Sequence, residues 1–455
     1  MKNVRFASLS IAFSSIAALA ACGEDEFPTN SCDDVTGTCV QVAGGDANAL
    51  QTAANSVEAN TTIVLGAGRF AMTNSLTIRA DGIHIIGQGI DKSTLDYGET
   101  TAQVNGIDAQ GDDFLVQDLT VLDAPKDGIR VEASDGVVFR RIRATWTNVS
   151  DSTNGAYGIY PVKSKHVLVE DSFAENASDA GLYVGQCEHV IVRNNTVKGN
   201  VAGLEIENTQ YADVFGNLAE DNTAGIVVFD LPGNPIVGRD VKLRDNDIKF
   251  NNHINFAPGG TVAVIPVGTG TFAMASRRVE ITGNRYEGNN TGDIALLSGL
   301  IIEEDETKWE LATATLNGTW DDLGLAAGSA AGTITNFRGE NIVVSGNTHT
   351  ASGQQPDTLD PMMFGVLLVL VYGTNDIDSI LYDAIGETSF NSTDAGMNTN
   401  DNHICAGGNT GGTFASMNVA VQSVENIVPF FRPAAPFAPF DCTTMNGGPV
   451  VAPDL

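Results

Sequence analysis

Gly181-Leu182-Tyr183-Val184, Gly203-Leu204-Glu205-Ile206 and Gly225-Ile226-Val227-Val228 decide the fold, because their glycines recur 22 residues apart. Between them a second element repeats, Val192-Arg193-Asn194-Asn195 and then Val214-Phe215-Gly216-Asn217. A fixed period of about 20–50 residues marks a repeat architecture. Each unit holds short apolar strands broken by Gly, Asn and Asp, with no helical spacing, so each is one coil of a parallel β-helix. The same glycine anchor is found upstream at Gly106, Gly128 and Gly158. The step from Gly128 to Gly158 is about eight residues longer than the others, which places a bulging loop at 147–156, and repeat insertions tend to lie on the binding face.

Two columns follow from the register. Val116, Phe139, Val169, Val192, Val214, Leu243, Ile281 and Val344 read as an inward apolar column. Three positions on, a column begins with Leu119, Ile142 and Ser172 and becomes five asparagines, Asn195, Asn217, Asn246, Asn284 and Asn347, which read as a ladder whose amides bond from coil to coil at about 4.8 Å. Asn also tolerates left-handed backbone. Ahead of the coils, Leu50, Ala53, Ala54 and Val57 have helical spacing within 47–57. A helix there caps the open end of a stacked core. The expected architecture is all-β: a solenoid with an N-terminal capping helix and C-terminal insertions.

The chain has 455 residues, 49 of them Gly, with 18% charged residues and a formal net charge of −32. Tight turns and stacked strands account for the glycine content and the low charge density. The acidic balance repels nucleic acid and anionic membrane.

Lys2 and Arg5 followed by the apolar 6–18 read as an export signal. Leu19-Ala20-Ala21-Cys22 resembles a bacterial lipobox. That resemblance implies cleavage before Cys22 and lipidation of Cys22. Gly23 in place of Asp implies the outer rather than the inner membrane. Of the remaining cysteines, Cys32 with Cys39 and Cys405 with Cys442 are the expected disulfides, as an exported protein allows. Cys187 is left as a small buried hydrophobe. The expected organisation is a leader at 1–21, a lipidated tether with a small disulfide loop at 22–45, the β-helix at 46–350, and C-terminal coils with an extended tail at 351–455. Within the insertions, 301–328 is expected to form a side flap carrying Trp309 and Trp320. Residues 364–372 are too short to span a membrane and read as a buried core segment.

The helix, Thr62-Ile63-Val64-Leu65, Gly68-Arg69-Phe70 and Ile85-Ile86-Gly87-Gln88-Gly89 resemble the opening of pectate-lyase-like right-handed β-helix proteins. With the lipobox and Asn402-His403-Ile404-Cys405, the chain is similar to exported bacterial β-helix lipoproteins of unassigned function. That resemblance implies an exported protein partner, often haem-binding. The wider superfamily contains lyases, polygalacturonases and epimerases, but no Asp-Pro-His-Glu run or paired-Asp motif is present here. No catalytic residue transfers.

Candidate residues come from strand alternation. An outward stripe reads Asp108, Arg130, Tyr160, Tyr183, Glu205 and Val227, with Gln110, Glu132, Val162, Gly185, Glu207 and Phe229 two residues further. Arg130, Tyr160, Tyr183 and Glu205 are the candidate catalytic groups. Glu132, Lys163 and Glu207 join them as candidate ligand contacts. Arg can hold a carboxylate bidentately, and Tyr or Glu can move a proton once its pKa is tuned. Lys126, Arg130, Arg140, Arg141, Arg143, Lys163 and Lys165 cluster in sequence; they either form a positive face for an acidic saccharide or balance Asp123, Asp127, Glu132 and Asp135. His166 and His189 are expected to stack at a turn. No metal motif is present, and calcium is left to the acidic loops at Asp221, Asp230, Asp245 and Asp247.

Two functions follow. One is a monomeric envelope lipoprotein that binds a polysaccharide or a protein partner. The other is a lyase, epimerase or hydrolase acting on an acidic glycan.

Overall fold

In a computed structural model, residues 30–312, 333–361, 363–389, 397–417, 430–431 and 438–455 are described. The coils have three faces. A repeat contributes Ala180–Gly185 to the first, Glu188–Arg193 to the second and Thr196–Lys198 to the third, and each strand pairs in parallel with its counterpart one coil on. The first face runs from Leu76–Ile78 to Phe414–Met417 and closes with the antiparallel Phe430–Phe431. The other two faces merge into one sheet through the long strands Phe114–Leu122 and Asp135–Thr145, which turn the corner without a break.

The expected inward column is the core. Val116, Phe139, Val169, Val192, Val214, Leu243, Ile281 and Val344 are in register and fully buried. The asparagine ladder is real and continues to Asn409. Each Nδ2 donates to the next Oδ1 at about 3 Å and to a backbone carbonyl, as Asn217 does to Asn246 and to Val192. The ladder residues are not themselves left-handed. The left-handed position is the residue before each: Asn194, Gly216, Asp245, Gly283 and Gly346. That residue turns the corner, and the Asn then points inward to satisfy the amides the corner strands. A second ladder, Asn200, Asn222, Asn251 and Asn289, fills the corner between the third and first faces. It follows the same rule, after Gly199, Asp221, Phe250 and Gly288.

The repeating glycines sit at that corner facing inward. A Cβ on Gly128 or Gly158 would lie 2.4 Å from the carbonyl oxygen of the glycine in the next coil. Cys187 is buried between Ser164 and Thr209, in a column of corner hydroxyls, and Thr209 Oγ1 accepts from its N–H. Its thiol donates to Gly185 O, and burial pushes it up to about 12.

Helix α1, Ala47–Ser56, covers the first coils with Leu50 and Ala54, and Asp46 caps its N-terminus. The disulfides are Cys32–Cys39 and Cys405–Cys442; Cys22 lies outside the described residues. The segment 364–372, expected as buried core, is helix α2 (Phe364–Tyr372) laid on the first face. Phe364 and Leu368 are buried, but Leu370 is 61% exposed. Among the described residues no helix is long and apolar enough to cross a membrane. Residues 446–454 run back along the second face, bonding in turn to Asn341, Arg278, Glu280, Asp240 and His189.

Candidate functional site

The first face carries the site. Its register aligns Asp108, Arg130 and Tyr160, and further along Tyr183, Glu205, Val227 and Phe272. The sequence reading expected an open surface stripe. The structure corrects this: Tyr183 is 5%, Glu205 2% and Glu207 8% exposed. Segments of three insertions cover them, at 231–238, 252–268 and, among the described residues of the third, 299–312 and 333–338. Their apolar residues Leu231, Phe256, Ile265, Trp309 and Phe337 form a second cluster over Val227, Phe229 and Phe272. Beyond the polar site the cover closes on a small apolar cavity of about 70 Å³ between Ile265, Phe272, Leu297 and Phe364. Trp309 belongs to the expected flap; Trp320 lies outside the described residues.

Where the cover stops, a cleft of about 430 Å³ opens between Lys126, Asp127, Arg130, Tyr157, Tyr160 and Pro258. Loop 147–156, expected to bulge, forms one wall through Asn154 and Ala156. Tyr157 and Tyr160 line the floor, and Tyr183 packs behind them. Tyr157 lies 4.6 Å from both Tyr160 and Tyr183 by ring centroids, and Tyr160 meets Tyr183 edge to face at 4.9 Å. Tyr183 folds flat over Gly185, where a Cβ would lie 2.2 Å from its ring.

Around the rings stand four carboxyl groups. Asp127 is 2% exposed, and loss of water pushes it up to about 6 against the pull of Lys126. Asp179 rises to about 7, again by burial, with Tyr157 donating to it. Glu205 is raised well above the usual range by burial and by its neighbours Asp179 and Glu207, and its Oε2 has no hydrogen-bond partner. Glu207 is raised by burial too, although Gln186 and Asn234 donate to it at 3.0 and 2.8 Å. Desolvation disfavours each charge, and each remaining charge disfavours the next. Burial also raises the Tyr160 hydroxyl to about 12. Asp127 is the member of the four carboxyl groups that lines the cleft, and its raised value lets it hold a proton up to about pH 6.

Of the two readings left open for the cations, the ion pairs favour charge balance. Arg130 is held between Asp108 and Glu132. Burial of Asp108 works upward, but hydrogen bonds from Arg79 and Arg130 overcome it and hold Asp108 below its usual range. Lys163 is half exposed, 3.5 Å from Glu132, and does not line the cleft. Arg140, Arg141, Arg143 and Lys165 lie on other faces, paired with Glu170, Asp118, Asp91 and Glu188. They form no single positive face; their role is charge balance. Lys126 makes no ion pair among the described residues and lines the cleft.

His166 and His189 stack as expected, at 5.2 Å, and Tyr211 extends the stack. Among the described residues no three metal-ligating side chains converge. The acids considered for calcium are engaged elsewhere: Asp221 with His253, Asp230 with Gly238 N and Asn336, Asp245 with Arg244, and Asp247 with Arg285.

Tyr157 and Asp179 were missed in the sequence, and Asp127 was read only as a counter-charge. Their signal was there: Asp127 and Tyr157 occupy the position that Ala180, Ala202 and Ala224 fill in later coils. A large polar residue at a small-residue corner has to be accommodated by a cleft.

Residues 105–255 match a family model described as right handed beta helix region, and the fold is the expected right-handed parallel β-helix. Among solved structures the chain is similar to the A-module of a mannuronan C-5 epimerase from Azotobacter vinelandii, with 15% identity, 69% of this chain and 86% of that one covered, and a TM-score of 0.44. It is also similar to an alginate lyase from a Paenibacillus species (13%, 57% and 92%, 0.35) and to a lacto-N-biosidase from Eubacterium ramulus (11%, 72% and 66%, 0.43). No curated protein matches the chain in sequence.

Proposed function

We propose that the first-face cleft binds a polysaccharide and processes it by acid–base chemistry. One observation carries this: Asp127, its carboxyl raised to about 6, lines an open cleft beside Tyr157 and Tyr160. Tyrosine faces suit the apolar faces of sugar rings. A protonated carboxyl at such a ring can donate to a glycosidic oxygen as the bond breaks. Lys126 is the cation available to a sugar carboxylate, which keeps an acidic glycan within the proposal.

The same chain is proposed to act at the cell envelope, anchored by a lipid on Cys22 at the outer membrane. It would act as a monomer, with no nucleic-acid partner and no resident organic cofactor. A binding-only role, with a polysaccharide or an envelope protein as ligand, is the second reading. It is favoured by the position of Tyr183 and Glu205, which lie beneath the insertions and, unlike Asp127, do not line the cleft, so that two of the four expected catalytic groups stand away from it.

A panel of alginate, pectate, chondroitin and neutral glycans tests the first reading, with new unsaturated or reducing ends as the readout. Turnover of one glycan that Asp127→Asn abolishes supports processing. Saturable binding without turnover overturns processing in favour of the second reading.

A further inference from the structure

We infer that Ser150, His253 and Asp221 form a second catalytic constellation, one that hydrolyses short-chain carboxylic esters. His253 Nε2 lies 2.7 Å from Ser150 Oγ, and its Nδ1 lies 3.4 Å from Asp221 Oδ1. This is the order of contacts a serine nucleophile needs: hydroxyl to one ring nitrogen, carboxylate to the other. The three residues come from separate coils and loops, and only the fold brings them together.

The scaffold holds the base firmly. His253 N donates to Asn222 O, and His253 O accepts from Thr223 Oγ1, both at 3.0 Å. Asn222 is a rung of the second ladder, and Asp221 is the left-handed corner residue just before it. Base and orienting carboxylate therefore hang from one rigid corner, and Phe256 packs edge-on against the imidazole at 5.8 Å. Ser150 is carried over by the 147–156 bulge, in a left-handed conformation (φ 55°) of the kind found at functional turns. Asn154 ties the bulge down by donating to Asn148 O and Asn176 O, both at 2.7 Å. Ser150 is half-buried, the His253 side chain is 14% exposed and Asp221 stands at the surface, so the constellation lies at the edge of the fold.

The chemistry balances without a cofactor. With its proton on Nδ1, held toward Asp221, His253 takes the Ser150 hydroxyl proton at Nε2 as Oγ bonds to the ester carbonyl carbon. The carbon–oxygen bond to the alcohol then breaks, and His253 returns the proton to the departing alcohol. Water, activated in the same way, releases the acid and restores Ser150. The N–H groups of Ser150, Asp151 and Ser152 donate to no acceptor among the described residues and are free to meet the developing oxyanion. Asp151, Thr153 and Asn154 are Ser150's polar neighbours in the bulge, with Thr153 donating to Asp151, and a small acyl group such as acetyl is the chain the proposal takes. The bulge and the 252–268 loop also wall the tyrosine cleft through Asn154 and Pro258. An O-acylated sugar is therefore the inferred natural substrate, a clause that rests on the glycan reading above.

The test uses no glycan, so its failure and that of the cleft proposal are separable. The full chain is treated with a fluorophosphonate probe and digested, and the adduct is mapped by mass spectrometry; p-nitrophenyl acetate hydrolysis is followed in parallel. The expected result is a phosphonyl adduct on Ser150. Ser150→Ala should retain the wild-type melting temperature and lose at least about 100-fold of the acetate hydrolysis. His253→Ala should lose the adduct, and Asp221→Asn should slow its formation by at least about tenfold. Absence of an adduct at Ser150 in the wild type, or equal hydrolysis by Ser150→Ala, overturns the inference and reduces the three residues to a loop fastening.

Discussion

The second and first faces are built from the same coils, yet one is finished by repetition and the other by interruption. On the second face the outward side chains pair between coils, with Glu170 between Arg140 and Arg193, and Asp213 against Arg244. At its corner the amides of the first ladder satisfy one another. On the first face the outward positions after Tyr183 turn apolar or carry uncompensated carboxyl groups, and insertions lie over them. A repeating face satisfies its polar groups with its own neighbours and leaves nothing for a ligand. A face whose repeat is broken has to be covered, and chemistry becomes available where the cover ends.

Asp127→Asn should break the comparison most sharply. With the cleft shape kept and the proton donor gone, turnover of the responsive glycan should fall by at least about 100-fold, read from product formation, while the melting temperature holds. On the repeating side the largest effect is on stability. Asn217→Leu removes the donor to Asn246 and Val192 and the acceptor for Asn195. Unfolding in urea should show a loss of about 3 kcal/mol, from several buried groups left unpaired.

A pH series sharpens the contrast. Asp127, Asp179 and Asp230 have folded-state values of about 6, 7 and 7, each raised by burial. The folded chain therefore holds protons that the unfolded chain has released. The stability from these groups is full below about pH 4 and is lost as pH rises through 6 to 7. The melting temperature should fall from pH 5 to pH 8, and Asp230→Asn, in a residue buried by Gly238 and Asn336, should flatten that slope. Carboxylates paired on the repeating faces, such as Glu170, are held low by Arg140 and Arg193 despite their burial, and they contribute nothing to the slope in this window.

Gly185→Ala should have a smaller effect. The new methyl displaces the Tyr183 ring from above Gly185, and turnover should drop about tenfold through the disturbed tyrosine floor, seen in kcat rather than in folding. Lys163→Ala, at an exposed pair with Glu132, should shift stability by less than about 0.5 kcal/mol and so calibrate the rest.

The period of glycines and the column from Val116 to Val344 determined the solenoid, because a strand's alternation and a coil's repeat are local properties written into consecutive residues. The first ladder, the helix at 47–56, both disulfides and the bulge at 147–156 were legible for the same reason. What stacks on the first face was decided only by the tertiary structure. Alternation placed Tyr183, Glu205 and Glu207 outward, and they are outward from the coil. Segments distant in sequence, at 231–238, 252–268, 299–312 and 333–338, put them under cover. Burial then raised the carboxyl groups, and a desolvation of that kind depends on every neighbour in space. The pairing of Ser150 with His253 spans 103 residues, and no spacing rule links a loop insertion to a corner several coils away. Repetition is encoded along the chain, and the departures from it acquire meaning only where the chain returns to meet itself.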